Sequence, residues 1–479
     1  MQRSGALSGV LGRAQHWLAQ RVRHGRPSQG VSGQATSRHH DTPLVVLVTS
    51  RFPYGSAEQF IVAELPHWAG RGIDMVILPE KNDTPNVQPR DLPAGVTLDT
   101  RLVKKWGSHE GRVLSVLDAL TSGVFWREIR DLASLGRLNR SRFVFALRSC
   151  AQITMVRRTL AELSREHGGI DLVYTYWLAV STVGAALAKK QGVVRRVASR
   201  AHNADIYEDR HPLRHHPAVR QIVDEVDLLA PIAADGAEFC VDRYGFDENN
   251  VVVSRLGVDI PSREEWCRPS PDGVFTVFSV STMTPFKRLD LLIDSLAELS
   301  QRCGSTTLRW VHAGEGRLHD ELAARVSEKL QPRGVEVEWL GQLGHDELFA
   351  WYRTHQADVL VNTSSSEGIP VSMMEAMVRG VPVIGTDVGG VREILPPDWL
   401  MPSDPSASEV AEFIAARMDD AKSDRTRQEV ARLVAEKYDA DHNFDVFVDP
   451  MVTVAQATQS WHSGPIFRAP SLPGSQCGS

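Results

Sequence analysis

The chain has 479 residues, which is enough for two or three domains that each bury a core of their own. Its net charge of -6 and its ordinary apolar content are typical of a globular protein and give no reason to expect a nucleic-acid partner. The five cysteines are dispersed, with no pair at metal-ligand spacing, so we expect unpaired thiols in a reducing, cytoplasmic setting.

The two ends of the chain differ from its middle. Residues 1–40 form a basic extension in which apolar residues between Leu7 and Val22 would share one face of a helix. This pattern indicates either an amphipathic helix lying on an anionic membrane or a disordered segment with chance periodicity. We expect no secretory signal and no membrane span, because the apolar stretches are too short. Residues 461–479 are rich in Pro, Gly and Ser and predict a disordered tail.

Residues 41–257 are predicted to form a first α/β domain. An apolar run at 44–48 predicts a buried strand, and Gly55 and Ser56 lie in the turn that leads to a helix at 58–68. A glycine in such a turn lets the backbone approach a ligand, and the start of the helix favours an anion. Glu58 is interpreted as a first-turn acid favoured by the helix dipole.

A basic stretch at 101–160 predicts a helical insertion within this domain. Arginines and lysines outnumber acids there, and aromatic side chains are interleaved with them. The stretch fits a solvated helical face, or a surface for an anionic membrane or a lipid-diphosphate acceptor. No fold signature for nucleic-acid binding accompanies it.

The predicted strand at 197–200 runs directly into His202, Asn203 and Asp205. Ligands are handled at the carboxyl ends of parallel strands, although a histidine in that position is more often structural. Asn203 suits a left-handed backbone, which asparagine adopts more readily than most residues. A strand at 228–232 and a helix at 235–244 complete the first domain.

The βα alternation restarts after a hinge at 261–272, so residues 258–440 are predicted to form a second α/β domain. Its first strand, at 275–280, leads through Thr282 to Lys287 and Arg288, which precede a helix. A helix start disfavours a cation, and a bound phosphate would offset this cost. Farther on, a strand at 335–341 leads to Gly341 and Leu343. We expect helices at 404–419 and 422–438, and a last helix at 441–460 that crosses back to the first domain.

The segment 359–390 carries the strongest signal in the chain. A predicted strand is followed by a Ser/Gly loop that contains Glu367, and Pro370 stands where a helix would begin. Glu375 lies on that helix, and a Gly-Gly turn follows the next strand. The start of the helix is an anion site at the carboxyl edge of the sheet, so the two acids flank a place suited to a diphosphate between polyol groups. The alternative is a βαβ unit whose carboxylates face solvent.

This arrangement of Glu367 and Glu375, with the small-residue loop and the Gly-Gly turn, resembles the retaining glycosyltransferases of family four, in glycosyl transferases group 1. The resemblance extends over residues 44–455. It implies the GT-B fold, an α/β fold in which two doubly wound Rossmann-like domains face each other across a cleft. A nucleotide-diphosphate sugar would bind the second domain, and a glycan or polyprenyl-diphosphate-linked acceptor the first. Exopolysaccharide, capsule or lipopolysaccharide biosynthesis is the expected setting, with the protein cytoplasmic or peripheral at the inner face of the membrane.

The resemblance also implies roles for individual residues. His202, Glu367 and Lys287 are the expected catalytic residues. The expected donor-binding residues are Glu375, Gly368, Ile369, Val371, Ser372, Thr282, Arg288, Gly341 and Leu343. Gly55, Ser56 and Asp205 are expected at the diphosphate or the acceptor. Thr282 stands where relatives have a diphosphate-binding arginine, Ser281 where they have a glycine, and Asn203 where many have a glycine. The first two departures resemble a polysaccharide-biosynthesis subgroup.

The resemblance implies no cofactor and no metal ion. The Asp-x-Asp pattern at 439–441 follows a predicted helix rather than a strand, so we expect no metal role for it. Retention is expected to proceed by front-face attack. Two other readings stay open: a noncatalytic nucleotide-sugar-binding or membrane-scaffold partner of a polysaccharide assembly complex, and an inverting transferase or epimerase of the same fold. Thr282 and the basic amino-terminal half favour the first, and the intact acidic pair argues against the second.

Overall fold

The computed structural model describes residues 42–55, 58–83 and 87–456. The predicted amino-terminal extension, the predicted tail and Ser56 lie outside the described residues. Within them the chain builds two parallel six-stranded sheets, each flanked by helices. No helix of the described part is long and apolar enough to cross a membrane.

The first sheet has the strand order β3-β2-β1-β4-β5-β6. Its strands are β1 (Leu44–Thr49), β2 (Asp74–Pro79), β3 (Val96–Leu98), β4 (Leu172–Thr175), β5 (Val197–Ala201) and β6 (Leu228–Pro231). Strand β1 pairs in parallel with β2 on one side and β4 on the other, and all of its residues are buried. Its continuous apolar run is what a parallel strand covered on both faces requires. The order reverses between β1 and β4, which opens a crevice at their carboxyl ends.

Two helical layers cover this sheet. The helices of this half are α1 (Gln59–Trp68), α2 (Arg101–Gly107), α3 (His109–Thr121), α4 (Gly123–Ser134), α5 (Arg140–His167), α6 (Val180–Lys190) and α7 (Ala234–Phe239). Val46 and Val48 of β1 face a core shared with α2 to α6, whereas Val45 and Leu47 face a core shared with α1. The predicted basic insertion is therefore a helical layer on one face of the sheet, and α1 lies on the other.

The second sheet repeats this topology in the order β12-β11-β10-β7-β8-β9. Its strands are β7 (Val274–Val280), β8 (Thr307–Ala313), β9 (Glu336–Gly341), β10 (Val359–Asn362), β11 (Val383–Thr386) and β12 (Leu400–Met401). Its helices are α8 (Leu289–Leu299), α9 (His319–Lys329), α10 (His345–Thr354), α11 (Val371–Val378), α12 (Val391–Ile394), α13 (Ala407–Ala415), α14 (Met418–Lys422) and α15 (Asp424–Tyr438). The switch point lies between β7 and β10, the strands that precede Lys287 and Glu367.

The single helix predicted at 404–419 is wrong, because two shorter helices, α13 and α14, occupy that region. Helix α13 begins one residue after Ser406, whose hydroxyl accepts from the amide of Glu409 in a capping box. Arg417, between the two helices, has a φ of -120°, outside the helical range, and its guanidinium donates to the carbonyl oxygens of Phe413 and Asp398. The chain turns there, although its apolar pattern continues.

The chain passes twice between the two halves, and the two passages touch. Val258 donates its amide to the carbonyl oxygen of Tyr438 at 2.8 Å and accepts from the amide of Ala440 at 3.1 Å. A Cβ on Gly257 would lie 2.2 Å from the Cα of Ala440, so glycine is required at this contact. Helix α16 (Ala440–Gln456) then packs against α1 of the first half, where His67 contacts Asp445 at 2.9 Å.

Candidate functional site

The carboxylate of Glu367, at the carboxyl edge of the second sheet, accepts from three side-chain donors. Glu367 lies in the loop after β10 and is only 7% exposed. Its Oε1 accepts from the hydroxyl of Ser364 at 2.6 Å and from the side-chain amide of Asn362 at 3.1 Å. The Lys287 ammonium donates to the same oxygen at 2.6 Å. The structure thus brings together two of the predicted catalytic residues, Lys287 and Glu367, as a direct ion pair.

Lys287 reaches this position from a one-turn helix, Pro285–Lys287, that follows β7. Its carbonyl oxygen accepts from the hydroxyl of Thr363 at 3.1 Å, which ties the turn to the loop after β10. The loops that follow β7 and β10 therefore place the Lys287 ammonium and the Glu367 carboxylate in contact at the opening of the crevice. A ligand phosphate that binds Lys287 would compete with Glu367 for the ammonium.

The glycines around Glu367 are required by close backbone packing. Gly389 has a φ of +53°, and a Cβ there would lie 2.0 Å from the carbonyl oxygen of Glu367. The amide of Gly390 donates to the carbonyl oxygen of Gly368 at 2.9 Å. The Gly-Gly turn after β11 thus packs directly against the loop that contains Glu367. This close contact explains why positions 389 and 390 are glycines.

Glu375 lies on α11, five residues into the helix, and is 6% exposed. The Nε2 atom of His345, at the start of α10, lies 2.8 Å from its Oε1. Burial raises the pKa of the Glu375 carboxyl above its usual value, and the nearby charges of His345 and Arg379 oppose that rise. Glu375 therefore has a protein partner that the sequence did not predict. His345 is half exposed, so a ligand can reach this pair from solvent.

The other predicted donor-binding residues of this loop surround the start of α11. Ile369 is buried, whereas Val371 and Ser372 are partly exposed in the first turn of the helix. Gly368 faces the first domain, where a Cβ on it would lie 3.1 Å from the Cβ of Asn203. These residues place the amino terminus of an eight-residue helix beside the Lys287–Glu367 pair, in reach of an anionic group.

The remaining predicted donor-side residues have different environments. Thr282 is exposed in the loop after β7, and Gly341 ends β9 with a φ of +68°. Leu343 packs partly buried against the core of the second domain. Arg288 donates to the carbonyl oxygens of Thr363, Ser364 and Ser403 and pairs with Asp404 at 2.8 Å. Its guanidinium thus braces the loop after β10 instead of standing free for a phosphate.

His202 and Asp205 follow β5 at the edge of the first sheet. His202 is 7% exposed, and its ring lies against Trp177 and Tyr176, with centroid distances of 4.3 and 5.0 Å. The Nδ1 atom of His202 lies 3.6 Å from Oδ2 of Asp205, and its Nε2 atom has no hydrogen-bond partner among the described residues. The ring is therefore a buried group with unused hydrogen-bonding capacity, positioned by two aromatic side chains beside the cleft.

Asp205 shapes the His202 loop. Its carboxylate accepts from the backbone amides of His202, Asn203 and Leu178 at 2.8, 3.0 and 3.0 Å. Burial alone would raise the pKa of Asp205, but the hydrogen bonds and charge of His202 and the amide of Leu178 hold it below its usual value. The carboxylate is engaged by the loop itself, which gives Asp205 a positioning role.

The reason predicted for Asn203 is wrong. Apart from glycines, the described residues with positive φ are Glu58, Arg214, Ala218 and Arg288, so Asn203 has an ordinary backbone. Its carbonyl oxygen accepts from the amides of Ile206 and Tyr207, which closes a turn. Its side chain packs against Gly368 across the cleft.

The loop after β1 is built around Glu58. Its carboxylate accepts from the amides of Ser50, Arg51 and Phe52, at 2.7 to 2.9 Å, and from the Trp177 indole at 2.6 Å. The interpretation of Glu58 as a first-turn acid is therefore wrong: it precedes α1, with a φ of +58°, and holds the loop in place. Gly55 has a φ of +67° and accepts from Arg90, while Ser56 lies outside the described part of the chain.

Four residues of the site were not predicted: Asn362, Arg210, His345 and Glu80. Arg210 donates from the first domain to the carbonyl oxygen of Glu367 at 3.2 Å. Glu80 follows β2, and burial raises its pKa to about 7, with Glu58 adding to the rise and Ser181 opposing it. The position of Asn362 and Glu80 at strand ends was the available signal. Nothing in the local sequence pointed to Arg210 or His345.

The described residues contain no group of three or more histidine, cysteine or acidic side chains arranged to hold a metal ion. The cationic groups beside Glu367 include the Lys287 ammonium, the Arg210 guanidinium and the amino terminus of α11. This geometry suits an anion. Glu367 and Glu375 lie on either side of it and could accept from hydroxyl groups, and the buried His202 lies across the cleft.

Two parallel sheets, each with a crevice at its switch point, and a loop in which Glu367 pairs with Lys287 are the features of a GT-B glycosyltransferase. The lipopolysaccharide outer core galactosyltransferase WaaB, in its apo form, superposes with a TM-score of 0.60 at 14% identity, covering 86% of this chain and 99% of that protein. Anabaena Alr3699/HepE in complex with UDP superposes with a TM-score of 0.55 at 15% identity, covering 86% and 100%. The predicted fold is confirmed.

The second domain also resembles a known family in its sequence. The family model described as glycosyl transferases group 1 matches residues 274–420, and that segment is a domain of this family. The putative colanic acid biosynthesis glycosyltransferase WcaL of Escherichia coli (strain K12) is 26% identical over 422 residues, covering 85% of this chain and 98% of the relative. The predicted resemblance to this family and the predicted class, a glycosyltransferase, are confirmed.

Proposed function

We propose that the protein transfers a sugar from a nucleotide-diphosphate sugar to a glycan or polyprenyl-diphosphate-linked acceptor, with retention of anomeric configuration. The observation that carries the proposal is the Lys287–Glu367 pair beside the start of α11, at the carboxyl edge of the second sheet. A cation and free helix-end amides suit a diphosphate, and the carboxylates suit the hydroxyls on either side of it. HepE, which shares the fold, has been solved in complex with UDP and with UDP-glucose, which is consistent with such a donor.

In this proposal each residue has a defined part. Lys287 and the amides at the start of α11 stabilise charge on the departing diphosphate. Glu367 accepts hydrogen bonds from the donor sugar, and Glu375 accepts from the ribose hydroxyls. The C1–oxygen bond to the diphosphate breaks while the acceptor oxygen bonds to C1 on the same face. The acceptor proton passes to the departing diphosphate oxygen, so no protein nucleophile is needed.

His202 is assigned to the acceptor side of the transfer. Its ring is held by Trp177 and Tyr176, its Nδ1 atom faces Asp205, and its Nε2 atom has no partner among the described residues, so Nε2 can bind a sugar hydroxyl near C1. We expect His202→Asn to lower kcat with little effect on donor affinity. The expected loss is about 10²- to 10⁴-fold, the range for a positioned hydrogen-bonding or proton-transfer group.

The setting is proposed from the relatives. WcaL is named for colanic acid biosynthesis and WaaB for the lipopolysaccharide outer core. We infer that this chain also acts in the assembly of a surface polysaccharide, in the cytoplasm or peripherally at the membrane. It requires no metal ion in this proposal, and transfer that survives chelation with EDTA is the expected result.

A thermal-shift screen of nucleotide sugars tests the donor assignment, because a specific donor raises the melting temperature by mass action. We expect Glu375→Ala to bind the selected donor far more weakly. Glu367→Gln should bind it and fail to transfer. NMR of the product anomer tests retention, and an inverted product would refute that part. Donor binding without hydrolysis or transfer by the wild type would instead favour a noncatalytic partner.

A further inference from the structure

Helix α3 has its apolar face on the outside. Its buried residues are the small side chains Ser115 and Ala119. Val113, Leu114, Leu117 and Leu120 are 44%, 48%, 55% and 36% exposed. At helical spacing these four cover the side opposite to the buried pair. An amphipathic helix at the surface of a globular domain normally shows the reverse pattern.

The exposed face continues onto α4 through Trp126. Its indole nitrogen donates to the carbonyl oxygen of Leu120 at 2.7 Å, which holds the ring against the end of α3. Trp126 is itself 54% exposed. We call Val113, Leu114, Leu117, Leu120 and Trp126 the outer apolar surface. Contiguous exposed apolar groups of this kind mark an interaction site, whereas single ones do not.

Arginines border the outer apolar surface. Arg112 precedes Val113, and Arg130 follows Trp126 by one helical turn; both are exposed. Neither forms an ion pair with a described residue. Arg127 is also exposed and donates to Gln221. Four acids lie on the same two helices: Asp118 pairs with Arg158, Glu128 pairs with His215, and Glu110, one turn before Leu114, and Asp131 are exposed. Residues 101–160 as a whole carry twelve lysines and arginines and these four acids, so the helical layer is basic.

We propose that the outer apolar surface inserts into the interface of an anionic lipid bilayer. Leucines and a tryptophan on one face, bordered by arginines, are what a helix lying in the headgroup region requires. The border arginines would contact anionic headgroups. A second copy of the chain is a poorer occupant, because it would bring the same basic helical layer up to this one.

This proposal deepens the proposed function, because it rests on an acceptor that is carried by a lipid. It gives that function a specific surface, on the helical layer that covers the first sheet. Its test is separate, since binding to vesicles requires neither donor nor transfer.

The test is cosedimentation of the full chain with vesicles of phosphatidylglycerol and phosphatidylethanolamine. Leu114→Gln/Leu117→Gln removes the centre of the surface, and glutamine is a good helix former at exposed positions. We expect the partition coefficient to fall at least about tenfold, because two half-exposed leucines can no longer be buried in lipid. Val62→Gln is the matched control: Val62 is 44% exposed on α1, on the other face of the sheet, and its partition should stay within about twofold of wild type.

A second variant tests the charge requirement. Arg112→Gln/Arg130→Gln should weaken binding to the anionic vesicles at least about fivefold, with a smaller salt dependence. Wild-type chain should bind vesicles of phosphatidylcholine less well. Retained binding by the leucine variant, or no binding by the wild type, would overturn the proposal. So would an oligomer that the leucine variant converts to monomer in sedimentation velocity, because the surface would then hold a second copy.

Thermal shift with the selected nucleotide sugar separates the two proposals. Both surface variants should keep the wild-type shift, since neither touches the site. A variant that loses vesicle binding and keeps the shift supports membrane docking by this surface. A wild-type chain that binds vesicles and no nucleotide sugar would leave the docking proposal standing and refute the donor assignment.

Discussion

Lys287→Met tests two roles of one ammonium group: its ion pair with Glu367 and its proposed contact with the donor diphosphate. In the unliganded protein Lys287 neutralises Glu367 at 2.6 Å, and in the proposed complex it binds the donor diphosphate. Methionine keeps the length and the apolar stem of lysine and removes the charge. The substitution should therefore lower both the stability of the second domain and its affinity for a nucleoside diphosphate.

The burial of the pair sets the size of the first effect. The two side chains are 18% and 9% exposed, between the limits of a surface and a fully buried ion pair. Surface pairs contribute about 0–1 kcal/mol, and breaking a buried pair costs about 3–5 kcal/mol. We expect a loss of about 2 kcal/mol in the free energy of unfolding, or about 4–8 °C for a domain of this size.

The second effect follows from the lost contact to the diphosphate. A hydrogen bond to a charged group contributes about 1.5–3 kcal/mol, so affinity should fall about 10- to 150-fold. Glu367→Gln should behave differently. Its amide oxygen can still accept from Asn362 and Ser364, and it no longer competes for Lys287. Nucleoside diphosphate affinity should stay equal or rise, while sugar transfer falls.

Thermal melts and isothermal titration with the nucleoside diphosphate of the selected donor measure both effects. Lys329→Met is the control, because Lys329 pairs with Asp294 at 2.8 Å on α9 of the same domain, away from the cleft. The double variant Lys287→Met/Glu367→Gln should lose about 1–2 kcal/mol less than the sum of the single variants. Additive losses would refute the ion pair, and unchanged affinity in Lys287→Met would refute the diphosphate role.

Three further predictions concern other buried charged side chains. Burial raises the pKa of Glu375 above that of an ordinary glutamate, so its contribution to stability is largest at acid pH, below the ordinary pKa, and is lost as the pH rises through the folded pKa. Glu375→Gln should flatten the melting temperature between acid and neutral pH, and an unchanged profile would contradict this. Asp205→Ala should cost about 3 kcal/mol at neutral pH, because three amides lose their acceptor. Since the folded pKa of Asp205 lies below its usual value, the stabilisation by its carboxylate should be lost only as the pH falls through that lowered pKa, so the cost of the substitution should shrink there. Melts from neutral to strongly acid pH check this, and a pH-independent cost would refute it. Arg200→Met should cost about 3–5 kcal/mol, because Glu64 loses a buried partner at 3.0 Å. Adding Glu64→Gln should restore most of this in urea melts, and no recovery would argue against the pair.

Much of the fold could be predicted because parallel strands covered on both faces are continuous apolar runs. The strands at 44–48, 275–280 and 359–361 stand out for this reason. Strands β3 and β12 were not predicted, since they have three and two residues and lie at sheet edges. The helix break at Arg417 was not predicted either, because the apolar periodicity continues across α13 and α14 and the break depends on a long-range contact to Asp398.

The sequence predicted which loops form the site, but it predicted fewer of the contacts that individual side chains make there. The spacing of Glu367 and Glu375 and the position of Lys287 before a helix come from local chain geometry, which the sequence displays. The partners of Arg288 and Asp205 come from tertiary structure. Arg288 was expected to bind the donor, and its guanidinium instead binds three loop carbonyls. Asp205 looked like a ligand residue, and its carboxylate instead binds three loop amides.

The proposed donor site is not contained in the domain that matches the family. Residues 274–420 supply Lys287, Glu367 and Glu375. The loop that holds Glu367 is also contacted from outside that segment, by Arg210 at its carbonyl oxygen and by Asn203 at Gly368. Asn203 lies in the turn that Asp205 holds beside His202, and Arg210 lies farther along the same connection between β5 and β6. The donor loop and the proposed acceptor histidine are therefore linked through direct contacts, and we expect the first domain to complete the donor side of the site.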